Sequence, residues 1–179
     1  KLIFKALSKT KSIYQYRKTH LSGKSIHFFS NWDYSIHRRG AFVKVAPIIS
    51  NDVPLLTVIT RTCPGRDFLL KESLCSVLNQ TYPNIEIIIS EDGDCKISDL
   101  IDSYKQKTSF SIVNIKNNPQ GRSFTGNQAL KYARGEYCIF LDDDDLFFHD
   151  HLESLYLGLL SVPDSLASYS MAHEVKTCI

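Results

Sequence analysis

The sequence alternates short β-branched runs with amphipathic stretches of helical period, and this alternation constrains the fold more than any single motif. Apolar runs with the length and composition of buried strands occur at residues 55–60, 85–89, 110–115 and 137–141. Helical patterns follow them at residues 68–78, 97–104, 123–133 and 149–160. Gly135 is expected to terminate the third of these helices, and residues 166–170 are expected to begin a fifth strand. The alternation predicts a Rossmann-like open, mainly parallel sheet with helices on both faces, because parallel strands need crossover connections.

Length and composition predict one globular core with an extension. The 179 residues are 43% hydrophobic and 22% charged, which excludes a disordered chain. No apolar run approaches the ~20 residues that span a bilayer. The five cysteines are irregularly spaced and form no CxxC pair, so they indicate free thiols in a reducing compartment. We therefore expect a cytoplasmic location, with peripheral attachment to the inner face of a membrane as an open alternative.

The charges are distributed unevenly along the chain. Residues 1–50 contain ten Lys or Arg and one acid, Asp33, whereas residues 51–179 contain eleven Lys or Arg and eighteen acids. This predicts a basic, aromatic-rich extension over residues 1–53, with a helix over residues 2–21, ahead of a domain over residues 54–179. We expect the extension to pack on the main domain. A membrane surface or a partner domain is its alternative contact, and a charge run alone is weak evidence for nucleic acid.

Four consecutive aspartates, residues 142–145, follow the last predicted strand of the alternating series. Adjacent carboxylates repel one another unless water screens them or a cation lies among them. The strands of a parallel sheet end at one shared edge, where open α/β sheets bind ligands. Thr60, Glu91 and Asp92 are expected at the same edge, because they lie at the ends of two other strands.

Spacing excludes several other uses of these acids. An EF-hand loop counted from Asp142 has Leu146 and Phe147 where a ligand and a glycine are required. His149 and His151 are two residues apart on a predicted helix and read as surface histidines rather than zinc ligands. The sequence has no GxxxxGK[ST], GxGxxG or GxSxG motif. What remains is a hard cation, Mg²⁺ or Mn²⁺, bound together with a phosphate-bearing ligand.

Three stretches in order then carry a resemblance to a known family: residues 55–62, residues 76–93 with the sequence SVLNQTYPNIEIIISEDG, and residues 135–145 with GEYCIFLDDDD. Over residues 54–172 the chain resembles the nucleotide-sugar-binding half of the family 2 glycosyltransferases, which have the GT-A fold. The resemblance implies transfer of a sugar from a nucleotide-diphosphosugar, with UDP as the expected nucleotide, to a hydroxyl of a glycan or other acceptor. It also implies an inverting reaction, a divalent metal and a part in polysaccharide biosynthesis.

The resemblance assigns roles to individual residues. Asp92 would accept a hydrogen bond from the base, and the turn Thr60-Arg61-Thr62 would line the base pocket. Asp142 and Asp143 would lie beside the ribose and diphosphate, and Asp144, with Asp142, would bind the metal at the Asp-x-Asp motif. Arg122 is expected to approach the nucleotide. Apart from the resemblance, the alternative to a functional role for Asp145 is that of a helix N-cap.

Two departures from the family pattern are visible, and part of the pattern is absent. Glu91 replaces the usual first Asp, and Thr62 replaces an aromatic residue that often stacks on the base. In the family the catalytic base follows the Asp-x-Asp half, so it is expected beyond Ile179. Two alternatives stay open: a donor-binding or assembly module of a larger enzyme that is inactive by itself, and a nucleotidyltransferase, against which the missing glycine-rich phosphate loop argues.

Overall fold

A computed structural model describes residues 2–3 and 52–170 of the chain. Its strands are β1 (Leu2–Ile3), β2 (Leu56–Thr62), β3 (Ile85–Asp92), β4 (Ser111–Asn117) and β5 (Tyr137–Phe140). Its helices are α1 (Asp67–Leu78), α2 (Ser98–Lys105), α3 (Arg122–Tyr132) and α4 (His151–Leu160). None of the helices in this part of the chain is both long and apolar enough to cross a bilayer.

The five strands form one sheet in the order β1-β5-β2-β3-β4, and every neighbouring pair is parallel. The predicted open parallel sheet is therefore confirmed. In the central pair, Thr60 lies opposite Ile89 and Thr62 lies opposite Glu91. On the other side of β3, Asp92 lies opposite Asn117. This register brings the carboxyl ends of the three strands to the same edge of the sheet.

The helices cover both faces of the sheet, as predicted. Side chains of α1, α2 and α4 pack on one face, where Leu70, Leu74 and Leu152 are fully buried against the odd-numbered isoleucines of β3. On the other face, among the described helices, α3 is the one that packs, with Ala129 against Ile59 and Ile88. A fully buried leucine or isoleucine contributes about 1.5–3 kcal/mol, so these two layers hold the sheet edge in place.

Two expectations at the ends of the chain are not met. A helix was expected from Leu2, but Leu2 and Ile3 form a strand that pairs with Tyr137 and Cys138. The basic residues of the expected helix, with the rest of residues 4–51, lie outside the described residues. Residues 166–170 were expected to begin a fifth strand, and they are irregular instead. The edge position beside β5 is taken by β1.

Candidate active site

The four aspartates form a tight turn just after β5. The amide of Asp145 donates a hydrogen bond to the carbonyl oxygen of Asp142 at 3.0 Å. The turn leaves Asp143 buried and Asp142 half-buried, while Asp144 and Asp145 are exposed. The four carboxylates therefore differ in access to solvent, although they are adjacent in sequence.

Helix α1 holds this turn and the segment after it through side-chain hydrogen bonds. Ser73 donates to the carbonyl of Asp142 at 3.4 Å. The hydroxyl of Ser76 accepts from the amide of Phe147 at 3.1 Å. These two buried serines of α1 have a direct structural role, because their hydrogen bonds attach the backbone of the acidic turn to the main core.

The residues just after α1 continue the same attachment. The side chain of Gln80 donates to the carbonyl of Phe148 at 2.7 Å and accepts from the amide of Leu152 at 3.0 Å. Thr81 donates its hydroxyl to Glu153 at 2.6 Å. Glu153 is fully buried. The motif SVLNQTYPN, together with Ser73 just before it, thus holds the acidic segment in place. We call the four residues that form these hydrogen bonds the α1 clamp: Ser73, Ser76, Gln80 and Thr81.

The two histidines of this segment are half-buried, so the prediction of surface histidines is wrong. The ring of His151 stacks on Phe147 with centroids 4.3 Å apart. Burial lowers the pKa of His151 to about 4, against a smaller opposing effect of Asp150. A histidine that stacks on a buried aromatic ring serves packing at the start of α4.

Two arginines neutralise part of the acidic turn. Arg61, on β2, donates to the carboxylate of Asp142 through Nε at 3.0 Å and also through Nη2. Arg66, just before α1, donates to Asp143 at 2.6–3.0 Å and to Asp144 at 2.8 Å. Sequence reasoning missed Arg66, although its position in the loop after β2 already pointed to this sheet edge.

The turn keeps an excess of negative charge after this pairing. By formal charge, the four aspartates and two arginines sum to −2. Partial desolvation, and then the charges of Asp144, Asp142 and Asp143, raise the pKa of Asp145. A residual charge of this sign and size matches one divalent cation.

The residues present fit a hard cation through their chemistry. The turn offers carboxylate oxygens, the donors that Mg²⁺ and Mn²⁺ prefer. One nitrogen of Arg66 lies within hydrogen-bond distance of both Asp143 and Asp144, so a positive group already bridges two of the carboxylates. Within residues 52–170, no three His, Cys, Asp or Glu side chains converge as a ready-made metal site. A cation held here would therefore complete its coordination with water or with oxygens of a bound ligand.

Two buried hydroxyls at the same sheet edge lack partners among the residues that the structure describes. The Oγ1 atoms of Thr60 and Thr62 form no hydrogen bond with residues 52–170, although the residues are only 0% and 4% exposed. An unsatisfied buried hydroxyl costs about 1–3 kcal/mol. Both threonines face the α1 side of the sheet, as do Leu56 and Val58, which is the side of the acidic turn.

Asp92 lies half-buried at the end of β3 and binds the loop that leads into α3. One of its oxygens accepts from the amides of Gln120 and Gly121 at 2.8 and 3.1 Å. Gly121 has a φ of 85°, the left-handed region that glycine tolerates best. The next residue, Arg122, has an exposed side chain, and its carbonyl accepts a hydrogen bond from Arg61 at 3.3 Å. Arg61 thus connects the acidic turn to the start of α3.

Glu91, which departs from the family pattern, has a structural environment. It is fully buried, and its carboxylate accepts from the amide of Cys95 at 3.1 Å and from Asn114 at 2.6 Å. Its longer side chain thus fixes the loop after β3 to strand β4. Of the two adjacent acids Glu91 and Asp92, Asp92 is the more accessible to a ligand.

Comparison with known proteins identifies the family of this sheet edge. A family model described as Glycosyl transferase family 2 matches residues 65–172. The chain is 34% identical over 107 residues to the putative teichuronic acid biosynthesis glycosyltransferase TuaG of Bacillus subtilis, a match that covers 59% of this chain and 42% of TuaG. It is 32% identical over 132 residues to the GalNAc(5)-diNAcBac-PP-undecaprenol β-1,3-glucosyltransferase of Campylobacter jejuni, a match that covers 71% of this chain and 39% of that protein.

Solved structures show the same fold. The mannosyltransferase PcManGT from Pyrobaculum calidifontis, in complex with GDP-Man and Mn²⁺, matches with a TM-score of 0.52 at 20% identity, over 73% of this chain and 39% of its own. TarS from S. aureus, in complex with UDP-GlcNAc, matches with a TM-score of 0.51 at 24% identity, over 59% of this chain and 31% of its own. The chain belongs to family 2 of the glycosyltransferases and has their GT-A fold.

Proposed function

We propose that the edge formed by β2, β3 and the acidic turn binds a nucleotide-diphosphosugar with a divalent cation, and that the protein transfers the sugar to an acceptor hydroxyl. One observation carries the proposal: two unsatisfied buried hydroxyls, Asp92 and a turn with a residual charge of −2 meet at one end of a parallel sheet. Open α/β sheets bind ligands at this end.

Each residue has a proposed task in donor binding. The nucleotide base would bind to the hydroxyls of Thr60 and Thr62 and to the second oxygen of Asp92. Asp142 and Asp143 would lie beside the ribose and the diphosphate, and Arg122 would approach the nucleotide. Asp144 would be the principal metal ligand, because its side chain is 53% exposed and can reach a ligand from solvent. Uridine is the proposed nucleoside; of the two solved structures with this fold, TarS contains UDP-GlcNAc and PcManGT contains GDP-Man.

The reaction follows from the leaving group. The acceptor oxygen attacks the anomeric carbon, the bond from that carbon to the diphosphate breaks, and the hydroxyl proton passes to a carboxylate base. Attack opposite to the leaving group inverts the configuration. Asp144 and Asp142 would hold Mg²⁺ or Mn²⁺, which would neutralise the negative charge that develops on the diphosphate. We assign the role of catalytic base to none of the described residues.

A second candidate is a donor-binding module. The chain spans about two fifths of TuaG and of the Campylobacter relative. On this alternative the edge binds the donor, and transfer requires further parts of a longer protein. Both candidates need donor binding at the acidic turn, and they differ only in turnover.

Calorimetric titration with UDP and GDP, with Mn²⁺ or with EDTA, tests the proposal. We expect Mn²⁺ to tighten UDP binding about tenfold or more, which is 1.4 kcal/mol or more. Asp144→Ala should abolish this gain. Asp102→Ala, at an exposed position on α2, should leave it unchanged. Absence of nucleotide binding would overturn the proposal, and an undiminished gain in Asp144→Ala would overturn the metal assignment.

A further inference from the structure

Arg66 contacts the acidic turn in two places that differ in strength. Its Nε and Nη2 atoms donate three hydrogen bonds of 2.6–3.0 Å to Asp143, whose side chain is 5% exposed. Its contact with Asp144 is a single one at 2.8 Å, to a side chain that is 53% exposed. A buried, forked arginine–carboxylate pair is strong, whereas an exposed pair contributes about 0–1 kcal/mol.

Arg61 has no comparable freedom to release its partner. Its guanidinium binds Asp142 and the carbonyl of Arg122, and lies 5.6 Å from the ring centre of Phe140. Gly126 leaves the space for this packing, since a Cβ there would lie 3.4 Å from Arg61 and 3.3 Å from Phe140. Asp142 is therefore held by an arginine that is itself held on several sides.

This difference separates the two predicted metal ligands. Asp142 keeps its guanidinium, and Asp144 has only the weak half of the Arg66 contact to lose. A divalent cation that approaches the turn thus meets one carboxylate that can be freed at little cost. The guanidinium that must withdraw from it remains anchored to Asp143.

We propose that Arg66 is a positioning residue that acts as an internal counter-cation: it bridges Asp143 and Asp144 before the metal binds, yields Asp144 to the metal and keeps Asp143 in place. The inference rests on the proposed function, because it concerns the metal site of that edge. It makes the metal compete with a protein cation, so Arg66 sets how tightly the chain holds metal before the donor arrives.

The test uses Mn²⁺ alone, followed by electron paramagnetic resonance of the free ion, with no nucleotide present. We expect Arg66→Gln to bind Mn²⁺ about tenfold more tightly than the wild type, because the competing charge is removed. Arg66→Lys keeps the charge without the fork, so its affinity should lie between the two. Lys105→Gln removes an exposed charge that pairs with Asp102 on α2 and should bind as the wild type does.

The direction of the change separates this role from a purely structural one. Loss of a merely structural contact would lower both the unfolding midpoint and Mn²⁺ affinity. For Arg66→Gln we expect the two affinities to change in opposite directions. The variant should bind Mn²⁺ more tightly than the wild type, but at saturating Mn²⁺ it should bind UDP several-fold more weakly, since Asp143 is no longer fixed. Mn²⁺ affinity in folded Arg66→Gln that is equal to or below that of the wild type would overturn the proposal.

A measurement on the unmodified chain covers the case in which the variant does not fold. In ¹⁵N-edited spectra of the arginine side chains, Mg²⁺ should shift the Nη signals of Arg66 and leave its Nε signal in place. No change in either signal at saturating Mg²⁺ would contradict the exchange. Mn²⁺ binding that persists in Asp144→Ala would instead sink the metal assignment of the proposed function, so the two failures are distinguishable.

Discussion

Gly135 shows how a single residue constrains the sheet. The sequence suggested a helix terminator, but α3 already ends at Tyr132. The actual constraint is proximity: a Cβ on Gly135 would lie 2.5 Å from Oγ1 and 2.7 Å from the amide nitrogen of Thr57, and 2.8 Å from the carbonyl of Leu55. Strand β5 can enter beside β2 only because this position lacks a side chain.

Gly135→Ala should therefore destabilise the protein by about 1–3 kcal/mol, the usual cost of overpacking. Urea unfolding measures the loss. Ser123→Ala, at an exposed position on α3, is the control and should change stability by no more than about 0.5 kcal/mol. Equal stability of Gly135→Ala and the control would contradict the close approach.

Glu86 is the buried acid at the opposite end of the sheet from the site. It accepts hydrogen bonds from Thr57 at 2.6 Å, from the amide and side chain of Arg134 at 2.6 and 2.8 Å, and from the amide of Gly135 at 3.1 Å. Burial by itself would raise the pKa of Glu86, but these hydrogen bonds outweigh it and lower the pKa. The interaction links β2 and β3 to the turn before β5.

The lowered pKa predicts a pH dependence of stability. A carboxyl whose folded pKa is below its unfolded value stabilises fully above the unfolded pKa of about 4.3, and loses this stabilisation as pH falls through the folded pKa. The free energy of unfolding of the wild type should exceed that of Glu86→Gln by about 1–3 kcal/mol near pH 7. This difference should shrink as the pH falls below about 4.3. Urea unfolding from pH 3 to 7 measures it. A constant difference would contradict the assignment.

At the residue scale, sequence predicts positions at strand ends but not long-range partners. Thr60, Thr62, Asp92 and the acidic turn follow from where apolar runs stop, so their shared edge is predictable. Arg66 reaches its carboxylates across 77 positions of sequence. No periodicity encodes such a pair, because only the fold brings the loop after β2 beside the turn after β5.

At the scale of elements, strands β2 to β5 and the four helices agree with prediction to within a few residues. Strands β2 to β4 extend further toward the site than expected, with β3 reaching Asp92, because polar residues at strand ends still pair in the ladder. The edge strand could not be predicted, since its partner β5 lies far along the chain. The α1 clamp was also missed, because the sequence does not indicate which distant backbone groups these polar side chains bind.

Gln80→Ala tests the clamp. The variant removes the hydrogen bonds of Gln80 to the carbonyl of Phe148 and from the amide of Leu152, so we expect the free energy of unfolding to fall by about 1–3 kcal/mol. UDP binding should also weaken, because the clamped segment follows the acidic turn directly. Gln128→Ala on α3, where the side chain accepts from exposed Lys131, is the matched control. Calorimetry measures UDP affinity, and urea unfolding measures stability. Unchanged UDP affinity in folded Gln80→Ala would contradict a role of the clamp in donor binding.

At the scale of the whole molecule, ligand binding should appear as stability. A ligand that binds only the folded chain adds about 2.7 kcal/mol at a concentration of one hundred times its dissociation constant. We expect UDP with Mn²⁺ to raise the unfolding midpoint by several degrees, and UDP with EDTA to raise it less. Differential scanning calorimetry measures the shifts. In Asp144→Ala the two shifts should become equal, and a metal-dependent difference that survives there would contradict the assignment of Asp144.

The division into a basic extension over residues 1–53 and a domain over residues 54–179 stays a prediction, as does contact of the extension with a membrane surface or partner domain. The described part of the chain carries the acidic side of the charge asymmetry. Its sheet edge is nevertheless complete enough to test without the extension's role being known, because Thr60, Asp92 and the aspartates all lie within residues 52–170.

The most direct test of donor binding at this edge is an amide chemical-shift titration of ¹⁵N-labelled chain with UDP and Mg²⁺. We predict that the perturbed amides cluster at Thr60, Thr62, Asp92 and the acidic turn, while those of Glu86 and Gly135 at the opposite end stay unchanged. Perturbations centred on the Glu86 end, or no perturbation at millimolar UDP with Mg²⁺, would contradict the account.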